Sequence, residues 1–356
     1  MKHFVFFLLI IALFTVYVSG CGQSNVPQAP VDASPEPAPV QETTPEPAST
    51  PEPVAEPDSE PVVTGESLSI AATIFPQYDW VYQILGDKAE FKDISLILNS
   101  RVDLHSFQPS PRDIATISTS DLFIYVGGES DNWVEAVLEQ ALNPDMIVIN
   151  LLELLGDEAL IDEEIDDGQH HHHHHGDVEL DEHVWLSLRN AEIFTSAISE
   201  ALSKLDPELS DVYKTNAESY IEQLMALDTL YKEAMSGANG DTLLFADRFP
   251  FRYLINDYNL NFYAAFSGCS AETEASVQTI GFLVRRVNEL GLSTIMVTES
   301  ANIRIAETVI SNSADGNQNI LVLDSMQSSN SDDRASGVTY LTIMESNLRV
   351  LREALG

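Results

Sequence analysis

Seven of the nine histidines of this chain lie in one short stretch between positions 170 and 183. Six of them are consecutive: His170, His171, His172, His173, His174 and His175. The seventh, His183, closes the stretch within Asp181-Glu182-His183-Val184-Trp185. Neutral imidazole is a common ligand of zinc, copper and nickel, so this concentration predicts that the chain handles a transition metal. An expression tag would lie at a terminus, which leaves a solvated low-complexity loop as the alternative.

Only two histidines lie outside that stretch, and one of them, His3, falls in an apolar leader. The other, His105, follows Asp103, just as His183 follows Asp181 and Glu182. A neighbouring carboxylate would fix the orientation of a metal-binding imidazole. Two imidazoles and one carboxylate form an ordinary zinc shell, with bonds of ~2.0–2.2 Å. For each histidine, the alternative is a structural side chain that is hydrogen-bonded within the fold.

The start of the chain predicts export and a lipid anchor. A short basic start, an apolar core and small residues lead to Cys21, which predicts a secretory signal at 1–20; an uncleaved anchor is the alternative. Val18-Ser19-Gly20-Cys21 resembles the bacterial lipobox, whose cysteine is lipidated. Residues 21–66 contain Pro-Glu-Pro repeats, which predict an extended tether. We therefore expect an extracytoplasmic protein that is anchored to the cell membrane by lipid on Cys21.

The charge balance is strongly acidic, with 17 Lys and Arg against 56 Asp and Glu and a formal net charge of −39. This balance argues against nucleic acid as a partner, because its phosphate backbone demands a cationic surface. The balance suits a protein that attracts cations, but it is equally typical of a soluble exported protein. Of the two cysteines, lipidation of Cys21 leaves Cys269 without a partner, so we expect no disulfide framework.

Short β-branched runs alternate with amphipathic segments after residue 66, which is typical of parallel α/β sheets. The predicted strands are 68–74, 94–98, 122–128, 146–149, 242–246, 262–266, 294–298 and 320–323. A helical stretch from about 207 to 235 separates the two sets and would be ~45 Å long, enough to bridge two lobes.

We predict an α/β fold with two α/β lobes joined by one long helix. The predicted parts are an N-terminal lobe at 67–205 with a His-rich loop at 157–180, a linking helix at 206–238 and a C-terminal lobe at 239–356. Ligands of open α/β sheets bind beyond the carboxyl ends of the strands. The expected metal site therefore lies in the cleft between the lobes.

Three segments together resemble the zinc and manganese solute-binding lipoproteins of ABC importers. Residues 102–111 resemble the loop of that family's first ligand, and residues 181–187 resemble its second-ligand segment. Residues 321–324 resemble the late strand whose terminal aspartate can bind the metal. The resemblance covers the globular region and implies His105, His183 and Asp324 as metal ligands.

One position in the second lobe departs from the family pattern. The family usually has a histidine, or a glutamate in manganese members, shortly before a Phe-x-Tyr segment, and here that position is Arg248. Arginine stays protonated and cannot bind a metal. Either Asp247 replaces the ligand, or Arg248 forms a salt bridge in the cleft and the site has three protein ligands plus water. Glu299, at the end of a predicted strand, is a further candidate carboxylate.

The resemblance implies a non-catalytic, monomeric protein that captures zinc and delivers it to the membrane subunits of an ABC permease. Imidazole ligands favour Zn²⁺ over Mn²⁺, and the six-histidine run would add weak auxiliary sites beside His183. The alternatives are a manganese-binding importer component, a metal-dependent hydrolase and a surface adhesin. A hydrolase would need an open metal position and a general base, and no His-Glu-x-x-His motif occurs in the sequence.

Overall fold

The computed structural model describes residues 67–100, 103–162, 180–268 and 274–356. They all fall in the compact unit Thr64–Gly356. The signal predicted at 1–20, the predicted lipidation site Cys21, the predicted tether and the histidines at 170–175 lie outside the described residues. Cys269 also lies outside them.

The first half of the described chain forms a parallel four-stranded sheet in the order β2-β1-β3-β4. Its strands are β1 (Ser69–Ala72), β2 (Asp93–Leu96), β3 (Leu122–Tyr125) and β4 (Ile147–Asn150). Its helices are α1 (Phe75–Leu85), α2 (Pro111–Ser118), α3 (Trp133–Leu138) and α4 (Leu151–Leu155). Every predicted strand of this half is present, but α2 and α4 were not predicted.

Two long helices follow, α5 (Leu188–Leu205) and α6 (Ser210–Ser236). The 27 residues of α6 make it ~40 Å long, and it lies inside the linking segment predicted at 206–238. Its buried side chains include Tyr213, Tyr220 and Leu224, spaced along one face. That face packs on α1 and α5, so α6 belongs to the core as well as to the connection.

The second half of the chain repeats the architecture, with a parallel sheet in the order β6-β5-β7-β8. Its strands are β5 (Thr242–Phe249), β6 (Asn261–Ser267), β7 (Thr294–Thr298) and β8 (Asn319–Leu323). Its helices are α7 (Arg252–Tyr258), α8 (Val277–Leu290), α9 (Arg304–Asn312), α10 (Ser331–Ala335) and α11 (Tyr340–Leu355). The predicted α/β fold with two lobes is confirmed.

The two sheets share one hydrophobic core. A single buried cluster contains Phe123 of β3, Leu224 of α6, Phe245 of β5 and Leu351 of α11. The last helix also returns to the first lobe, where the Tyr340 backbone N–H donates to Asp79 Oδ2 at 3.0 Å. The lobes are therefore joined by a packed core and by α11, in addition to α6. No helix among the described residues is long and apolar enough to cross a membrane.

Candidate metal centre

His105 sits on a single 3₁₀ turn, Leu104–Ser106, which follows β2. Asp103 begins the turn, and its Oδ1 accepts a hydrogen bond from the His105 backbone N–H at 3.0 Å. Leu104 is buried and anchors the turn in the core. The His105 side chain keeps 12% of its surface exposed, so its ring stands at the edge of the interior.

His183 is fully buried at the start of a second 3₁₀ turn, Val184–Leu186. Asp181 Oδ1 accepts from the His183 backbone N–H at 2.8 Å and lies 3.1 Å from His183 Nδ1. Burial opposes a charge on this ring, but the negative charges of Asp181 and Glu182 outweigh it and raise the His183 pKa. Of the two carboxylates predicted beside His183, Asp181 and Glu182, it is Asp181 that contacts the His183 ring.

The two isolated histidines meet across the site. His105 Nε2 and His183 Nε2 are 3.1 Å apart, with the ring planes 62° from each other. A proton on His183 Nδ1 bonds Asp181 and leaves the Nε2 lone pair facing the second imidazole. Two nitrogens bound to one tetrahedral zinc ion at ~2.0–2.1 Å stand roughly 3.3 Å apart. The spacing of the pair is therefore close to that of two zinc ligands.

Glu182 and Ser130 orient the other face of His105. Ser130 Oγ lies 2.7 Å from His105 Nδ1, and Glu182 Oε2 lies 3.2 Å from the same nitrogen. Glu182 Oε1 also accepts from the Ser130 backbone N–H at 2.8 Å. Burial would raise the Glu182 pKa, but the hydrogen bonds from His105 and Ser130 lower it. Sequence reasoning gave this role to Asp103, whose Oδ1 instead lies 4.0 Å from His105 Nε2.

Two glycines allow these contacts, and sequence reasoning missed both. Gly128 has a φ of +83°, and a Cβ on it would lie 2.4 Å from Glu182 Oε1. A Cβ on Gly268 would lie 2.9 Å from His183 Cε1 and 2.8 Å from the Phe249 carbonyl oxygen. Glycine at these positions lets the backbone approach the side chains that form the site. The Gly127-Gly128 pair, one residue after the end of β3, is the sequence signal that could have marked this approach.

Arg248 forms the salt bridge that was one of the two predicted alternatives. It lies in β5 beyond a register shift between Phe245 and Arg248. Its Nη1 donates to Asp103 Oδ2 at 2.6 Å. Burial would raise the Asp103 pKa, but the charges of His105 and Arg248 hold it below its usual value. A fixed positive charge thus stands next to the turn that carries His105.

The candidate carboxylates of the second lobe are each engaged at the carboxyl end of a strand. Asp247 Oδ2 accepts from the Thr298 backbone N–H at 3.0 Å and from the Thr298 hydroxyl. Asp324 Oδ1 accepts from the Met326 backbone N–H at 2.8 Å. Burial and the nearby charge of Glu299 raise the Asp324 pKa to about 6.

The structure brings together the two predicted histidine ligands, His105 and His183. In residues 67–100, 103–162, 180–268 and 274–356, no three His, Cys, Asp or Glu side chains form a group that could hold a metal ion. Asp247 and Asp324 therefore remain predicted ligands. The six-histidine run lies outside the described residues.

Sequence comparison matches residues 70–354 to the family described as zinc-uptake complex component A, periplasmic. Zinc-binding lipoprotein AdcA of Streptococcus pneumoniae is 30% identical over 288 residues, which are 80% of this chain and 55% of that protein. High-affinity zinc uptake system protein ZnuA of Bacillus subtilis is 29% identical over 291 residues, 82% of this chain and 88% of that protein. The chain thus spans about half the length of AdcA and most of the Bacillus protein.

Two solved structures share the fold. The Zn(II)-bound ZnuA-like domain of Streptococcus pneumoniae AdcA has a TM-score of 0.64 and 27% identity, and the match covers 82% of this chain and 99% of that one. The metal-dependent lipoprotein YcdH from Bacillus subtilis has a TM-score of 0.66 and 26% identity, with 81% and 99% coverage. Both matches span the two lobes described above.

Proposed function

Because this chain belongs to the family of periplasmic A components of zinc-uptake complexes, we propose that it captures zinc and delivers it to the membrane subunits of an ABC importer. The observation that carries the proposal is the 3.1 Å separation of His105 Nε2 and His183 Nε2. The relatives named above are described as zinc-binding or zinc-uptake proteins, which supports the same cargo. In this proposal zinc is the transported ion, and its binding and release do not alter the protein chemically.

We assign the two imidazoles as nitrogen ligands and Asp324 as the carboxylate ligand. Asp324 lies at the carboxyl end of β8, the edge at which α/β sheets bind ligands. Asp247, whose Oδ2 accepts hydrogen bonds from Thr298, is the alternative oxygen ligand. Two imidazoles favour zinc, whereas manganese would demand a shell richer in carboxylates.

The remaining parts of the proposal concern the surroundings of the site. The protein is non-catalytic, acts as a monomer outside the cytoplasm and is held at the membrane by lipid on Cys21. The histidines at 170–175 form weak auxiliary sites that raise the local zinc concentration.

The test is a metal titration of residues 22–356, which lack the predicted signal and Cys21. Zinc and manganese binding is measured by competition with a chromophoric chelator and by calorimetry. We expect one tight zinc site that survives deletion of residues 170–175 and is lost in the variant with both His105→Ala and His183→Ala. Tight zinc binding that persists without both histidines would refute the assigned site. Tight binding that disappears with residues 170–175 would move the site to that run.

A further inference from the structure

The hydroxyl of Tyr253, in α7 of the second lobe, sits between two backbone segments that flank the His-rich part of the chain. The Leu160 backbone N–H donates to Tyr253 Oη at 3.0 Å. Tyr253 Oη in turn donates to the Asp181 carbonyl oxygen at 3.0 Å. The Asp181 backbone N–H closes the group by donating to the Leu160 carbonyl oxygen at 2.8 Å. One hydroxyl therefore connects the segment that enters residues 163–179 to the segment that leaves them.

We call this group of Leu160, Asp181 and Tyr253 the junction. It also includes a short antiparallel pairing between Ile161 and Leu180. Tyr253 is 4% exposed, and the bond from its hydroxyl to the Asp181 carbonyl oxygen is buried. A buried amide or carbonyl that loses its hydrogen-bond partner destabilises the folded state. The Tyr253 ring without its hydroxyl would leave both of these hydrogen bonds unmade, so the junction requires the hydroxyl.

From the junction, contacts continue directly to the metal centre. Asp181 is held through its backbone by Tyr253 and Leu160, while its Oδ1 binds both the backbone N–H and Nδ1 of His183. A shift of the Asp181 backbone would move this carboxylate relative to the imidazole. The Nδ1 contact decides which ring nitrogen carries the proton, and hence whether Nε2 keeps a lone pair for metal.

We infer that Tyr253 is a positioning residue, whose hydroxyl fixes the tautomer and orientation of His183 through Asp181 and links the base of the His-rich segment to the metal ligand. The consequence for zinc rests on the proposed function, whereas the effect on His183 itself does not. Tyr253 belongs to the second lobe, so it also ties the imidazole pair to the helix that follows β5.

The test compares Tyr253→Phe with Tyr231→Phe. Each substitution keeps the ring and removes one buried hydroxyl, and the Tyr231 hydroxyl donates to the Met344 carbonyl oxygen at 2.6 Å. Chains labelled with ¹⁵N-histidine are examined without metal by long-range ¹H–¹⁵N correlation, and His183→Ala assigns the signals. Zinc affinity is measured in parallel.

We expect wild-type His183 to carry its proton on Nδ1 and Tyr253→Phe to show a mixture of tautomers. We expect zinc affinity to fall about tenfold in Tyr253→Phe, while Tyr231→Phe matches the wild type in both measurements. An unchanged His183 spectrum in Tyr253→Phe, or an equal change in Tyr231→Phe, would overturn the inference. If the wild type binds no zinc, the proposed function fails, but the spectrum still decides the role of Tyr253.

Hydrogen exchange on the unmodified chain gives an independent measurement. The Leu160 amide is expected to exchange as slowly as amides of the core strands, because its acceptor is the buried Tyr253 hydroxyl. Fast exchange of the Leu160 amide would also overturn the inference, even if Tyr253→Phe failed to fold.

Discussion

Arg248 Nη1 and Asp103 Oδ2 are 2.6 Å apart, which joins β5 of the second lobe to the turn that carries His105. The other carboxylate oxygen, Asp103 Oδ1, lies 4.0 Å from His105 Nε2, the nitrogen that faces His183. A guanidinium thus neutralises a carboxylate that lies beside the imidazole pair. This arrangement lowers the negative charge available to a cation without removing the carboxylate.

The first prediction is that Arg248→Ala tightens zinc binding. The substitution removes a fixed positive charge and frees the Asp103 carboxylate, so we expect affinity to rise about tenfold, or ~1.4 kcal/mol. Competition titration of zinc measures the change. Arg286→Ala is the matched control, because it removes the same charge from an exposed pair with Glu289 on α8. Equal or weaker binding in Arg248→Ala would contradict this prediction.

The second prediction concerns Gly268, which packs against the ring of His183. A Cβ at this position would meet His183 Cε1 at 2.9 Å and the Phe249 carbonyl oxygen at 2.8 Å, so one of them must move. We expect Gly268→Ala to lower zinc affinity by about tenfold as the ring is displaced. Gly281→Ala in α8 is the control, since the nearest atom to its Cβ is 3.7 Å away. Wild-type affinity in Gly268→Ala would mean that the backbone, not His183, gives way.

The third prediction is that Asp324→Asn changes stability and metal binding in opposite directions. The native Asp324 pKa of about 6 exceeds its usual value of 3.8, so the native state holds this proton more tightly. Stability from this group is full below pH ~4 and is lost as pH rises through 6. The variant should therefore be more stable than wild type at pH 8, by at most about 3 kcal/mol in the metal-free protein.

Zinc affinity of Asp324→Asn should fall, because the variant lacks the proposed carboxylate ligand. Denaturant unfolding at pH 4 and pH 8 and zinc titration measure the two effects. Glu345→Gln, on the exposed face of α11, removes the same charge as a control. Unchanged zinc affinity in Asp324→Asn would remove Asp324 from the ligand set.

The helices and strands could be predicted from the sequence wherever the pattern of apolar residues continued without interruption. Strand β5 shows the limit: the apolar run stops at Ala246, but pairing with β6 resumes after the register shift and continues to Phe249. Asp247 and Arg248 therefore lie within a strand that the hydrophobic pattern ends too early. The tie between Asp79 and Tyr340, 261 positions apart, depends on tertiary packing that no local pattern contains.

The contacts of the candidate site also divide into those that the sequence predicted and those that it did not. The nearness of His105 and His183 was implied by the family resemblance, and the Asp181 contact follows from a separation of two residues. The carboxylate predicted to orient the His105 ring was the wrong one. Glu182 takes that place, and it reaches the His105 ring only because the segment after β3 packs against residues 181–187. Proximity in sequence favoured Asp103, which the structure pairs with Arg248.

The last prediction is that Asp131→Asn removes a pH-dependent loss of stability. Asp131 Oδ2 accepts from the backbone N–H groups of Val126 and Gly127 at 3.0 and 2.9 Å, and an asparagine oxygen can accept both bonds. Burial, with the charge of Glu182, raises the Asp131 pKa from 3.8 to about 7.

Between pH 3.8 and about 7 the native state binds more protons at Asp131 than the unfolded state does, so the free energy of unfolding falls as pH rises. Relative to wild type, Asp131→Asn should gain little at pH 4 and at most about 4 kcal/mol at pH 8. Denaturant unfolding of metal-free protein across this range measures the gain, with the exposed Asp145→Asn as control. A destabilisation of equal size at every pH would mean that the Asp131 carboxylate is ionised throughout and is held by its hydrogen bonds.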